Sequence, residues 1–167
     1  MIKYIFVGLT LILFGCTINA QEVKDKAYHV MLDKLLSHTV KEVSVDKAVT
    51  EGQNVQVLDA REIEEYKISK IRGATWIGYD DFNLKRVEGI DKKSTILIYC
   101  SVGYRSEKIA EKLRDAGYSN VSNLYGGIFE WVNQGYSIVD SNNTETKNVH
   151  AFDKNWGVWL TKGNKIY

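Results

Sequence analysis

Thr95-Ile96-Leu97-Ile98-Tyr99-Cys100-Ser101-Val102-Gly103-Tyr104-Arg105-Ser106 is the stretch on which the fold class turns. It opens as an uninterrupted apolar run bounded by Lys92-Lys93-Ser94, the pattern of a strand buried on both faces of a parallel sheet. From Arg105 to Ala116 the period changes. Ile109, Ala110, Leu113 and Ala116 share one helical face, charged residues fill the other, and Gly117 stands where a C-terminal stop belongs. Buried strand, tight loop and helix in succession place Cys100 at the carboxyl end of a strand. Open α/β sheets hold their ligands in the crevice outside such ends.

The flanking sequence repeats the alternation. Upstream, Tyr28 to Val40 carries apolar residues at helical spacing. Val43-Ser44-Val45 reads as a strand, Asp46 as the N-cap of a helix to about Thr50, Val55 to Leu58 as a strand ending at Asp59, and Glu62 to Tyr66 as a short helix. Ala74 to Ile77 reads as a strand, followed by a polar loop or helix over 80–92. Downstream come a strand at Val121 to Leu124, a turn at Gly126-Gly127 and a helix from Ile128 to Val132. The pattern predicts an α/β fold, a mainly parallel sheet flanked by helices on both faces. Residues 140–148 read as a polar linker. The segment from Val149, with Phe152, Trp156, Val158, Trp159, Leu160 and Tyr167, is too apolar to float free and is expected to pack on the domain.

The chemistry concentrates at the loop. A thiol at Cys100 meets successive backbone N–H groups and the positive end of a helix, both of which favour thiolate. Arg105 adds a fixed charge and a planar fork suited to a tetrahedral oxyanion, and Gly103 lets the loop curl. A lone cysteine after an apolar strand is commonly a small buried hydrophobe. A core cysteine, however, requires neither the Gly–Arg loop nor the immediate helix. Asp59 reads best as a cap or ion pair that supports the loop, and Arg61 as a second group able to meet an anionic substrate. His29, His38 and His150 show no metal-ligand spacing.

Composition sets the outer bounds. The 167 residues are 44% hydrophobic and 26% charged, enough for one sizeable core and too few for two full enzymatic domains. A net charge of +1 supplies no field to gather nucleic acid. No run reaches the roughly 20 apolar residues of a membrane span. Two cysteines, Cys16 and Cys100, make neither a zinc cluster nor a disulfide framework. Residues 1–20 read as an export leader, with Lys3 before an uncharged run from Tyr4 to Phe14. Two processing patterns compete: Ile12-Leu13-Phe14-Gly15-Cys16 resembles a lipobox that would lipidate Cys16, and Ile18-Asn19-Ala20 resembles an ordinary signal-peptidase site. Either places the protein in the envelope, periplasmic and soluble or lipid-anchored, with membrane contact only through that anchor. Residues 21–42 then form a tether and short helix.

Cys100-Ser101-Val102-Gly103-Tyr104-Arg105-Ser106 resembles the active-site loop of the rhodanese, or thiosulfate sulfurtransferase, family, patterned Cys-x-x-Gly-x-Arg-Ser. Asp59-Ala60-Arg61 with Glu65-Tyr66, then Ile71-Arg72-Gly73-Ala74, resemble its Asp-x-Arg-x-x-x-Glu-Tyr/Phe and His-Ile-x-Gly-Ala segments. Leu124-Tyr125-Gly126-Gly127 with Trp131 resembles its Leu-x-Gly-Gly-x-x-x-Trp ending. The likeness covers about 43–139. It departs at Ser69-Lys70, where Gly-His is usual, and at Arg72, where proline is common. The resemblance implies a cofactor-free and metal-free enzyme in which Cys100 carries a persulfide, bound within Ser101, Val102, Gly103, Tyr104, Arg105 and Ser106. Its implied donor is thiosulfate or a related sulfane. Its implied acceptor is cyanide or a thiol, the latter expected from an envelope protein. Two other classes compete. The first is a non-catalytic or redox-sensing docking module, and the presence of both Cys100 and Arg105 argues against a dead module. A cysteine-dependent phosphatase sets five residues between its Cys and Arg, against four here.

Overall fold

The computed structural model describes residues 25–51 and 54–167. The expected leader with Cys16, the first part of the tether and Gly52 lie outside them. Helix α1 is Lys26–Leu35, then β1 Lys41–Val43, α2 Val45–Glu51, β2 Val55–Asp59, α3 Ile63–Ile68 and β3 Thr75–Trp76. A 3-10 turn at Leu84–Arg86 precedes β4 Thr95–Tyr99, α4 Tyr104–Asp115, β5 Asn120–Leu124 and α5 Gly127–Asn133. Four short strands and a one-turn helix complete the order: β6 Ile138–Val139, β7 Glu145–Thr146, β8 Asn148–His150, α6 Lys154–Gly157 and β9 Asn164–Ile166.

The central sheet has order β1-β5-β4-β2-β3, and every pairing within it is parallel. Strand β4 lies at its centre, between β2 and β5, and alternation of its side chains divides the core in two. Ile96 and Ile98 join Ile109, Ala110 and Leu113 of α4 on one face. Leu97 and Tyr99 join Tyr28 and Leu32 of α1, Ile128 and Phe129 of α5, and Val149, Ala151 and Leu160 of the C-terminal segment on the other. The continuous apolar run thus reflects two buried faces.

Three local expectations shift. Helix α1 is capped by Asp25, whose carboxylate accepts from the amides of Ala27 and Tyr28, and it stops at Leu35 well before Val40. The chain turns extended there, where Glu107 of α4 accepts from the amides of Ser37 and Thr39, a tertiary contact that helical periodicity does not encode. The first strand is Lys41–Val43, so Val45 opens α2. Asp46 is therefore in the first turn of that helix, and Ser44 Oγ takes the Lys47 amide in place of the expected Asp46 cap. The polar stretch after 139 is a hairpin in which β7 pairs antiparallel with β6. Asp140 closes it by accepting from the amides of Asn142 and Thr144. The C-terminal segment packs on the domain. Val149, Ala151 and Leu160 are fully enclosed, and Trp159 stacks on Tyr28 at 5.4 Å between centroids.

Candidate active site

Cys100 follows β4 directly, is buried, and is the free cysteine among the described residues. Its Sγ accepts a hydrogen bond from the Gly103 amide at 3.1 Å. That bond requires the loop to reverse within three residues, which Gly103 does at φ +118° as the N-cap of α4. The loop carbonyls are drawn elsewhere. Cys100 O accepts from the Ile128 amide at 2.9 Å and Ser101 O from the Phe129 amide at 3.1 Å, both in the first turn of α5. Gly103 O accepts from Asn123 Nδ2 at 2.9 Å and from Ser106 Oγ at 3.1 Å. Acceptors that would repel an anion are thereby kept turned into the scaffold. Gly127 permits the close approach of α5, since a Cβ there would collide with the carbonyl oxygens of Cys100 and Ser101.

Arg105 leaves the first turn of α4 and forks onto Glu65 of α3, Nη1 to Oε2 at 2.6 Å and Nη2 to Oε1 at 2.8 Å. Ser101 Oγ closes the ring, accepting from Arg105 Nη2 at 3.0 Å and donating to Glu65 Oε1 at 3.0 Å. Burial opposes the charge on Glu65. The hydrogen bonds and charge of Arg105, the charge of Arg61 and the Glu62 amide outweigh it and hold the carboxyl below the usual glutamate range. Burial likewise opposes the Arg105 cation, but Glu65 and Cys100 raise its affinity for the proton, so it is permanently charged.

The expected site residues separate into two groups. Cys100, Ser101, Val102, Tyr104 and Arg105 line one cavity of about 290 Å³, with Gly103 beneath it as the amide donor. Arg61 and Ser106, also expected among the substrate contacts, are not among the residues that line that cavity. Arg61 is fully enclosed, gripping both Asp59 oxygens and donating to Ser69 O at 2.6 Å. Asp59 therefore braces the β2–α3 turn through Arg61. Ser106 is buried behind the loop on Gly103 O and on Asn123 Oδ1, at 2.7 Å from the latter. Sequence reasoning missed the partners that hold the loop: Glu65, Asn123 and Gly127. Glu65 also accepts from the Glu62 amide at 3.0 Å, and the Glu62/Glu65 spacing reads in sequence as an ordinary helix-capping pair. It also missed Leu35, Phe152 and Trp156, which complete the cavity wall from outside residues 43–139.

A parallel α/β sheet that presents a cysteine on a strand-to-helix loop, with an arginine locked beside it, defines the class of cysteine-loop α/β proteins. Within that class, the Rhodanese-like domain model matches residues 43–134, more than half of the chain, and the protein belongs to the rhodanese-like family. A tRNA uridine(34) hydroxylase of Bdellovibrio bacteriovorus is 31% identical over 109 residues, covering 63% of this chain and 31% of that protein. An adenylyltransferase and sulfurtransferase of Meyerozyma guilliermondii is 33% identical over 116 residues, covering 65% of this chain and 26% of its own. The chain therefore spans about a quarter to a third of the length of these relatives. A crystal structure of a Bacillus halodurans protein superposes with a TM-score of 0.55 at 25% identity, over 69% of this chain and 85% of that one. A thiosulfate sulfurtransferase of Pseudomonas aeruginosa gives 0.57 at 16% identity over 80% of this chain and 26% of its own, a likeness of fold.

Proposed function

We propose that the protein transfers sulfane sulfur through a persulfide on Cys100, with thiosulfate as a competent donor. The carrying observation is the Cys100 thiol, held by the Gly103 amide and open to a cavity walled in part by Arg105. The thiolate attacks the outer sulfur of the donor, the donor S–S bond breaks, and sulfite leaves with the bonding pair. Cys100–S–S⁻ remains. Cyanide or a thiol then attacks the terminal sulfur and returns the thiolate. An anion on that terminal sulfur is stabilised by loop amides whose carbonyls are already committed elsewhere, so little reorganisation accompanies the step. Ser101, Val102, Gly103 and Tyr104 shape the cradle. Arg105 supplies charge, while Glu65 sets its orientation.

Intact mass of the purified protein tests the reading. Thiosulfate should add the mass of one sulfur atom, a reductant or cyanide should remove it, and Cys100→Ser should carry none. An adduct that persists in Cys100→Ser would overturn the assignment. The leader motivates a companion proposal, export to the envelope with an envelope thiol protein as acceptor. Fatty-acid labelling that disappears in Cys16→Ala, together with membrane association, marks the lipoprotein form. A soluble, unlabelled protein beginning at Gln21 marks ordinary signal-peptide processing.

A further inference from the structure

The Cys100 cavity is bounded on one side by the loop itself and on the other by α1 and the C-terminal segment, which contribute the apolar side chains of Leu35, Phe152 and Trp156. Phe152 holds an unusual position. It is a non-glycine residue at φ +66°, it is 47% exposed, and its ring lies 5.2 Å from the Arg105 guanidinium carbon. A left-handed backbone at a bulky residue costs energy and persists only where the surroundings over-determine it. They do so here. The Phe152 amide donates to His150 Nδ1 at 3.1 Å, and β8 just before it is paired with β9. Asp153 just after it caps α6 by accepting from the Asn155 and Trp156 amides at 2.7 and 3.0 Å. The chain thus strains its backbone to hold an aromatic ring half in water at the mouth of the cavity, where folding gains little from the ring.

Charge points the same way. Arg105 is the one cation among the described residues lining the cavity, and both its Nη atoms are engaged by Glu65. A carboxylate paired at that distance offsets part of the field that would draw in a compact dianion. A volume of about 290 Å³ lies near the lower end of the usual range for small-molecule sites, roughly 300–1,000 Å³, and accommodates an organic group beside the reacting sulfur.

We infer that Phe152 and Trp156 are specificity-determining residues: they receive an aromatic or branched alkyl group attached to the sulfur that leaves, so that organic sulfane donors are preferred to thiosulfate. This rests on the persulfide reading of Cys100. The step balances as before. The Cys100 thiolate bonds to the terminal sulfur of the donor, the S–S bond breaks, and the organic sulfur fragment departs as its anion with the bonding pair. With a thiosulfonate, R–SO₂–S⁻, the departing anion is the sulfinate R–SO₂⁻. The ring edge of Phe152 and the indole of Trp156 supply apolar contact to R, while the loop amides receive the charge left on the terminal sulfur.

The test compares sodium benzenethiosulfonate with sodium methanethiosulfonate as donors to wild type, Phe152→Ala and Trp156→Ala, following the rate of one-sulfur mass gain at Cys100. Taking the aryl-to-methyl rate ratio, and then comparing that ratio between proteins, cancels the intrinsic reactivity of each donor. The ratio should fall about tenfold in Phe152→Ala, the size expected for one lost aromatic contact, and should fall also in Trp156→Ala. Phe152→Leu, which restores bulk without a ring, should lie between. Unchanged ratios in all three variants would overturn the role of Phe152 and Trp156 while leaving sulfur transfer intact. Failure of wild type to load from any donor, thiosulfate included, would overturn the underlying sulfur-transfer reading instead.

Discussion

Two arginine–carboxylate pairs flank helix α3, one sealed in the core and one at the Cys100 cavity, and serve different ends. Asp59 and Arg61 lie two residues apart, both completely enclosed, with Nη2 at 2.6 Å from Oδ2. Glu65 and Arg105 lie 40 residues apart, join α3 to the start of α4, and leave the arginine side chain 14% exposed to the cavity. The first pair is closed on itself and on Ser69, and even leaves Arg61 Nη1 without a hydrogen-bond partner. The second adds Ser101 Oγ to its ring and so ties a charge to the loop that carries the thiol. Similar chemistry yields a scaffold when it bridges a turn and a positioned electrostatic group when it bridges two elements at a ligand site.

The sharpest way to separate the pairs is to break each from its acidic side. Asp59→Ala leaves a fully buried guanidinium without its counter-ion, which is expected to cost about 3–5 kcal/mol of stability. Urea unfolding followed by tryptophan fluorescence reads this as a lowered midpoint. A cost near zero would show that water or another carboxylate relieves Arg61, and the two pairs would then be alike. The Arg105 pair should register in turnover. Arg105→Ala is expected to reduce persulfide formation from thiosulfate by about a hundredfold, as loss of a charged donor in an anion site does elsewhere. Arg105→Lys, which keeps the charge and loses the fork, should fall between Ala and wild type. Wild-type rates in both variants would reduce Arg105 to a helix-start residue.

Protonation sharpens the contrast further. The Glu65 carboxyl is held below its ordinary range in the folded protein, so its contribution to stability is complete above the unfolded glutamate value, about 4.3, and is lost as pH falls through the depressed folded value. Wild type should therefore lose stability relative to Glu65→Gln on acidification below about pH 4.3, and the two should run parallel above it. A difference that widens towards neutral pH instead would mean that Glu65 is not the group that ionises.

The contrast also marks how far the sequence could be read. The β4 run and the α4 stripe were legible because burial on two faces and on one face leave different periodicities, and those two elements define the loop between them. The positioning shell was not legible. Glu65 acts on Arg105 from 40 positions away, and its local spacing to Glu62 already has a sufficient explanation as a cap. Arg61 reads like a ligand-binding arginine until its Asp59 partner is seen to enclose it. Phe152 gave no local sign of its backbone conformation, because that is imposed by strand pairing on one side of it and a helix cap on the other.

A third acid–base pair, at the surface, sets the lower limit of the comparison. His38 sits at φ +54° with Nδ1 at 3.0 Å from Glu42 Oε1 and Nε2 at 3.2 Å from Asp33 O. Burial works against the imidazolium, but the Asp33 carbonyl and then the charge and hydrogen bond of Glu42 outweigh it, so the ring holds its proton more tightly than a free histidine. A raised value stabilises the fold below the unfolded histidine value, about 6.5, and the stabilisation fades as pH rises through the folded one. The imidazole is 41% exposed, so solvent screens the pair, and the expected effect is only a few tenths of about 1 kcal/mol. His38→Asn is the suitable variant, since asparagine tolerates the left-handed backbone and does not titrate. Glu42 is itself pushed upward by burial, but from the carboxylate range, so the interval from pH 6 to 8 isolates the ring. Over that interval, wild type should lose a small but steady margin over His38→Asn in urea midpoint. A margin that grows with pH would reverse the sign and place the positive charge of His38 among the costs of folding, the opposite of both paired arginines.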